Sequence, residues 1–263
     1  MKNLLLFLGM LTFSTQTFAT DFKDYQIFGT YNLGCISKTV EFPLKSKDYQ
    51  VQIYGEGRNF AHPLMIEYLN SLIKRAKEAK LPPLLIGDLS KKNGGPYGAK
   101  SNHASHAIGL DVDLPFDFAS PKKSDYELHH PKDRYIVNSK GPNQNFDKKV
   151  ITLIKLAASD SKVERIFVHP RIKQHLCKTL KGEDRKILQV LRPWFGHRAH
   201  MHVRLACPKD SPYCKAQAKV PAGDGCLETE TWFLPPDPKA KPVKAQVRKK
   251  KQLPSQCKAI LKI

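Results

Sequence analysis

Two short stretches concentrate side chains that can bind a metal or move a proton. In "HASHAIGLDVDL" (103–114), Asp111 and Asp113 stand two residues apart, so on a strand they share one face. His103 and His106 come just before them, in or near the loop that enters that strand. Gly109 lies between and lets the backbone turn without a Cβ clash, so a bent approach could bring His106 and Asp113 to one point. Farther on, "GHRAHMHVRLAC" (196–207) holds His197, His200 and His202 within six positions. There His200 and His202 alternate with Met201, Val203 and Leu205, the pattern of a strand with one polar and one apolar face.

These residue types in this arrangement suit a catalytic zinc site, which takes three ligands from His, Asp or Glu and keeps one position open. His106, Asp113 and one histidine of the second strand supply that set, and the remaining histidines are left for acid–base work. Calcium and other oxygen-seeking ions match poorly, because imidazole dominates the candidate ligands. The H-E-x-x-H pattern does not occur. Asp111 could hydrogen-bond a ligand imidazole and set its tautomer, or be a plain surface carboxylate. Arg192, Arg198 and Arg204 flank the histidines and read mainly as surface residues; Trp194 and Phe195 read as helix-face packing rather than a cleft wall. The glycine-rich 92–99 loop is expected at one rim of the cleft.

The elements that must position these residues are legible as an α+β domain. Its mostly antiparallel central sheet carries the metal site, helices flank it, and three disulfides staple it. Leu110, Val112 and Leu114 of one strand and Met201, Val203 and Leu205 of the other face the helices, leaving the polar faces to line a groove. Residues 62–81 read as an amphipathic helix ending before Pro82-Pro83, "PLLIGDLS" as a buried strand, and "NFDKKVITLIKLAASD" as a second amphipathic helix. "KVERIFVHP" reads as a strand, and both "RIKQHLCKTLK" and "EDRKILQVLRPWF" as helices. Residues 117–144 read as an irregular surface excursion.

Residues 1–19 combine Lys2, a short apolar run from Leu4 to Leu11 and small residues at Thr17-Phe18-Ala19, the pattern of a secretory signal peptide. Removing them takes the 263-residue chain to 244 and, since they carry one lysine and no acid, its net charge from +20 to +19. No later segment is a transmembrane candidate. Such a charge suits anionic envelope polymers, and export argues against nucleic acid. Part of it is local: residues 236–252 hold seven Lys or Arg against one Asp. The expected organisation is a signal peptide (1–19), a domain carrying the zinc-type site (20–235) and a basic Pro/Lys-rich C-terminal tail (236–263), with the oligomeric state open. Six cysteines in an exported chain argue for three disulfides, and spacing alone leaves fifteen pairings.

"HASHAIGLDVD" and "RPWFGHRAHMHVRLACP" resemble the zinc-site segments of the penicillin-insensitive murein endopeptidases, within the wider group of lysostaphin-type peptidases, D-Ala-D-Ala carboxypeptidases and the Hedgehog signalling domain. "LIGD", "LIKLAASD", "RIFVHPRIKQHLC" and "GDGC" extend the resemblance over nearly the whole exported chain. It implies a periplasmic zinc D,D-endopeptidase with one catalytic ion, cutting D-alanyl–meso-diaminopimelyl cross-links in murein and insensitive to β-lactams. It also implies His106, Asp113 and His202 as zinc ligands, His103 as a further ligand or a partner of one, and His200 and His197 as catalytic. The implied disulfides are Cys35 with Cys257, which ties the tail back, Cys177 with Cys226, and Cys207 with Cys214. Ala104 stands where parts of the wider group carry a serine, so transfer from those distant members is weaker. Two alternatives share the sequence features: a zinc D,D-carboxypeptidase or dipeptidase on stem peptides, and a non-catalytic envelope-binding zinc module.

Overall fold

A computed structural model describes residues 22–52, 56–98, 103–234 and 252–263. The expected signal peptide and most of the basic tail lie outside these residues. Strands β1 (Ile27–Thr30) and β2 (Leu33–Ile36) form a hairpin. β3 (Val40–Glu41), β4 (Tyr49–Val51) and β5 (Phe60–Ala61) follow, β3 pairing antiparallel with β5. Helix α1 (Pro63–Glu78) starts where Pro63 supplies a pre-set φ and the His62 ring accepts the Leu64 N–H at 3.0 Å. Its apolar spacing buries Met65, Tyr68, Leu69, Leu72, Ile73 and Ala76. β6 (Leu84–Ile86) then lies parallel to β4, buried along its length as its continuous apolar run requires.

Beyond β7 (Asp111–Pro115), the stretch expected to be irregular contains α2 (Asp125–His129), held by a reciprocal Ser124–Glu127 capping box, and a small ladder of β8 (Val137–Asn138) and β9 (Gly141–Pro142). Helix α3 (Lys148–Ala158) is capped by Asp147, and Tyr68 of α1 donates to its Ala157 carbonyl at 3.2 Å. Strand β10 (Val163–Val168) leads into α4 (Pro170–Thr179). The next segment departs from expectation. Residues 182–189 form a 3-10 helix, and Leu191–Pro193 is strand β11, parallel to β10. Pro193 cannot continue a helix, and the sheet edge at Ile166–Val168 offers its backbone a ladder instead. Strand β12 (His200–Leu205) and two short helices, α5 (Glu228–Thr231) and α6 (Ser255–Leu261), complete the chain.

The central sheet has the order β11-β10-β12-β7; only its β10–β11 pair is parallel. The α+β, mostly antiparallel expectation is therefore borne out. Val112, Leu114, Met201, Val203 and Leu205 are all buried in one core with the apolar faces of α1 and α3. The three disulfides are Cys35–Cys257, Cys177–Cys226 and Cys207–Cys214, and no described cysteine is free, so no thiolate remains for a metal. Among the described residues no helix is long and apolar enough to cross a membrane.

Candidate metal centre

The register of two strands builds the floor of the site. β7 and β12 pair antiparallel with Asp113 opposite His202 and Asp111 opposite Arg204, so two carboxylates meet an imidazole and a guanidinium on one face. The other edge of β7 is covered by residues 87–88: Gly87 donates to the Asp113 carbonyl at 2.8 Å, and Asp113 donates to that of Asp88 at 3.0 Å. A Cβ on Gly87 would lie 3.0 Å from the Asp113 oxygen, so glycine lets this segment come close and sets Asp88 beside Asp113. The loop carrying His103 and His106 closes the third side. His106 takes φ +71°, rare for a side-chain-bearing residue, and its N–H is pinned to Asp111 Oδ2 at 2.9 Å. Gly109 turns at φ +70°, where a Cβ would stand 2.7 Å from the His62 nitrogen.

The side chains so placed converge. Ligand-type atoms of His103, His106 and Asp113 all lie within 4.8 Å of one another. Asp113 Oδ2 is 3.4 Å from His103 Nδ1 and 3.5 Å from His106 Nε2. Bonds of about 2.1 Å in a tetrahedron separate ligand atoms by about 3.4 Å, so these spacings match two edges around a small cation. His202 presents Nδ1 3.0 Å from Asp113 Oδ1. Neither ring nitrogen of the fully buried His106 has a well-formed hydrogen bond, and Asp113 Oδ1 faces only the His202 and His200 rings. Buried polar atoms left unpaired cost roughly 1–3 kcal/mol each. A divalent cation between His106 Nε2 and Asp113 would satisfy that nitrogen and the carboxylate together, so the residues present fit a metal.

Carboxylates behind two of the imidazoles fix their tautomers. His202 Nε2 is 3.0 Å from Asp111 Oδ1, and His103 Nε2 is 3.1 Å from Asp88 Oδ2; in each ring Nδ1 is the atom turned to Asp113. Asp111 is no surface carboxylate. It is fully buried and also takes Arg204 Nε at 2.7 Å and Nη2 at 3.2 Å. Burial alone would raise its carboxyl, but Arg204 and then His202 hold it far below the usual carboxylate range. Burial likewise opposes charge on His202, yet Asp111 first, with Asp113, pushes it up to about 9. Asp88 is raised, by burial and by the Asp113 charge. Tyr97, from the glycine-rich loop, stacks on His106 with centroids 5.5 Å apart, under the Arg58 guanidinium, which also reaches Asp88 at 3.0 Å. That loop thus flanks the candidate metal ligands; its residues 99 to 102 are outside the described ones.

His200 lines an open cleft with His103, Asp88 and Asp113, its Nε2 3.9 Å from Asp113 Oδ1. His197 stands behind it, ring centroids 5.2 Å apart, in a second left-handed turn at φ +46°. The Phe195 carbonyl at 2.9 Å accepts from His197 Nδ1, leaving Nε2 as the atom able to take a proton. Burial, then the neighbouring His200 and His202, depress His197 to about 4. Trp194 and Phe195 are not helix-face packing: they follow strand β11 and are 58% and 63% exposed. Of the arginines, Arg192 pairs with Glu228, Arg198 lies over the Tyr135 ring, and Arg204 is buried.

Asp88, Arg58 and Tyr97 were not among the sequence candidates. The one local signal for Asp88 was a Gly-Asp step directly after a buried apolar strand; for Arg58 there was none. Compared with known families, residues 27–262 match the model described as penicillin-insensitive murein endopeptidase. A protein of that name from Haemophilus influenzae is 45% identical over 216 residues, 80% of this chain and 74% of the relative. One from Yersinia enterocolitica is 42% identical over 240 residues, 90% of this chain and 85% of the relative. One from Pectobacterium atrosepticum is 41% identical over the same length.

Proposed function

The chain belongs to the penicillin-insensitive murein endopeptidase family, and we propose that it is a periplasmic zinc enzyme hydrolysing the D-alanyl–meso-diaminopimelyl cross-links of murein. What carries the reading is one observation: buried ligand-type atoms of His106 and Asp113 converge with those of His103 at the floor of an open cleft. We assign His106 Nε2, Asp113 and His202 Nδ1 as ligands, with His103 Nδ1 as a further one or as a partner of the Asp113 carboxylate. Zinc fits this mixed imidazole–carboxylate set, and when bound it supplies Lewis acidity for a peptide carbonyl and lowers the pKa of water.

The protein's own groups then handle orientation and protons. Asp111 and Asp88 hold the His202 and His103 rings with Nδ1 inward. His200, on the cleft wall, moves a proton from the attacking water to the amine released when the C–N bond breaks. His197, with its Nδ1 committed to the Phe195 carbonyl, backs His200 as an acceptor. No serine is acylated in this scheme, so β-lactams have no nucleophile to trap. Extracytoplasmic action agrees with three disulfides.

Zinc stoichiometry measured together with digestion of purified cross-linked muropeptides tests this. The expected result is one zinc per chain and conversion of dimers into unshortened monomers, stopped by chelation and restored by zinc. Shortened monomers with dimers intact would assign a carboxypeptidase instead. Cleavage that survives complete metal removal would overturn the metal assignment. His200→Ala should keep the metal and lose about 100- to 10,000-fold in kcat.

A further inference from the structure

The cleft does not end at the metal cluster. Besides His103, Asp113 and His200, its lining includes the basic Lys132 and Arg134 and two acidic residues that already have partners, Asp133 with the Tyr135 hydroxyl and Asp117 with Lys123. Arg134 is held in place there. Its Nη1 donates to the Phe116 carbonyl at 2.9 Å, and its Nη2 lies 3.6 Å from Asp147 Oδ2, while Asp147 Oδ1 caps α3. Phe116 directly follows Pro115, which sits opposite His200 in the β7–β12 register, and Phe116 donates to the Ala199 carbonyl at 2.8 Å. The guanidinium is therefore tied to the strand end that carries His200. Three residues separate Asp113 from Phe116, about 10 Å of strand. A guanidinium has five N–H donors in a fork, and two protein partners leave several for a carboxylate on a ligand.

A D-alanyl–diaminopimelyl cross-link presents carboxylates at that range. One is on the carbon bonded to the scissile nitrogen, in the acceptor stem. Another is on the diaminopimelate side chain that precedes the cleaved D-alanine, in the donor stem. We propose that Arg134, with Lys132 beside it, binds a diaminopimelate side-chain carboxylate and makes the enzyme prefer cross-links that keep it ionised. This rests on the murein reading above and adds a specificity determinant to it.

The test compares kcat/KM on three cross-linked dimers: both side-chain carboxylates free, only the acceptor's amidated, and only the donor's amidated. Wild-type protein should disfavour one amidated dimer by about 10- to 100-fold, the range of a charge-assisted hydrogen bond, and which dimer it is names the stem. Arg134→Ala should bring that ratio close to one, and Arg134→Lys should restore part of it. Arg134→Gln, which can still donate to the Phe116 carbonyl but carries no charge, gives the same comparison if the alanine variant fails to fold. A variant that slows all three dimers equally, or leaves the ratios at their wild-type values, overturns the proposal. Wild-type protein that cleaves none of the three removes the murein reading itself, and the proposal with it.

Discussion

At the scale of single residues, Asp111 holds three neighbours of the site at once. It fixes the His202 tautomer, neutralises the buried Arg204, and accepts the His106 backbone N–H that sets the approach of the 103–106 loop. Asp111→Asn removes the charge while keeping the shape, leaving Arg204 buried without a counter-ion. Loss of a buried partner of this kind costs about 3–5 kcal/mol, and loss of a carboxylate behind a ligand imidazole weakens metal affinity about 10- to 100-fold. Urea unfolding and chelator competition read the two effects separately; an asparagine variant with wild-type zinc affinity would contradict the orienting role. His202 adds a pH dependence. With its pKa pushed up to about 9, the metal-free ring is charged at neutral pH. If His202 is a ligand, metal must displace that proton, so affinity should fall about tenfold per unit as pH drops below 9. Zinc titrations at pH 8, 7 and 6 should show this slope and a proton released into buffer, and equal affinities across the three would argue that Nδ1 does not bind the metal.

At the scale of elements, the start of α1 is tied to the same architecture. His62 caps the helix through Nδ1 and donates its own N–H to the Gly109 carbonyl at 3.0 Å, which joins α1 to the glycine turn ahead of β7. Burial lowers His62 to about 4 from its ordinary 6.5. The folded state therefore keeps the ring neutral where the unfolded chain would protonate it. Above pH 6.5 both states are neutral and nothing is lost; between 6.5 and 4 stability declines, by about 3 kcal/mol in all. His62→Asn, a non-titrating cap, should flatten that part of the urea-stability profile relative to wild type. A variant with the same acid slope would place its origin elsewhere. Alternation made β7 and β12 legible in the amino-acid sequence, and with them Asp113, His200 and His202 on one polar side. Asp88 and Arg58 were not legible, because a backbone ladder between Gly87 and Asp113 brings them in, and neither ladder nor guanidinium reach has a local pattern. Residues 191–195 carry apolar spacing that suits a helix, but Pro193 stops one, and the free edge of β10 takes the backbone as a strand and leaves Trp194 and Phe195 exposed.

At the scale of the whole molecule, the disulfides divide their contributions by the length of chain each closes. Cys35–Cys257 joins positions 222 apart, Cys177–Cys226 closes 49, and Cys207–Cys214 closes 7. In the chain-entropy account the longest loop stabilises by about 5 kcal/mol and the shortest by about 2. The Cys177–Cys226 bridge nested inside the long loop shortens its effective path only slightly, because the dependence is logarithmic. The Cys35 end also matters for the site. The strand carrying Cys35 belongs to the hairpin that includes Tyr31, whose hydroxyl donates to the Leu205 carbonyl at 2.8 Å and whose ring lies 4.1 Å from the Arg204 guanidinium. Slackening the α6 tie at Cys257 thus loosens a wall of the Asp111–Arg204 pair. Replacing Cys35 and Cys257 together by serine should lower the urea-unfolding free energy by about 3 kcal/mol more than replacing Cys207 and Cys214. It should also weaken zinc retention, whereas the short-loop double variant should hold its metal. Equal losses for the two variants would mean that native packing, rather than the closure of chain around the site, sets what each bridge contributes.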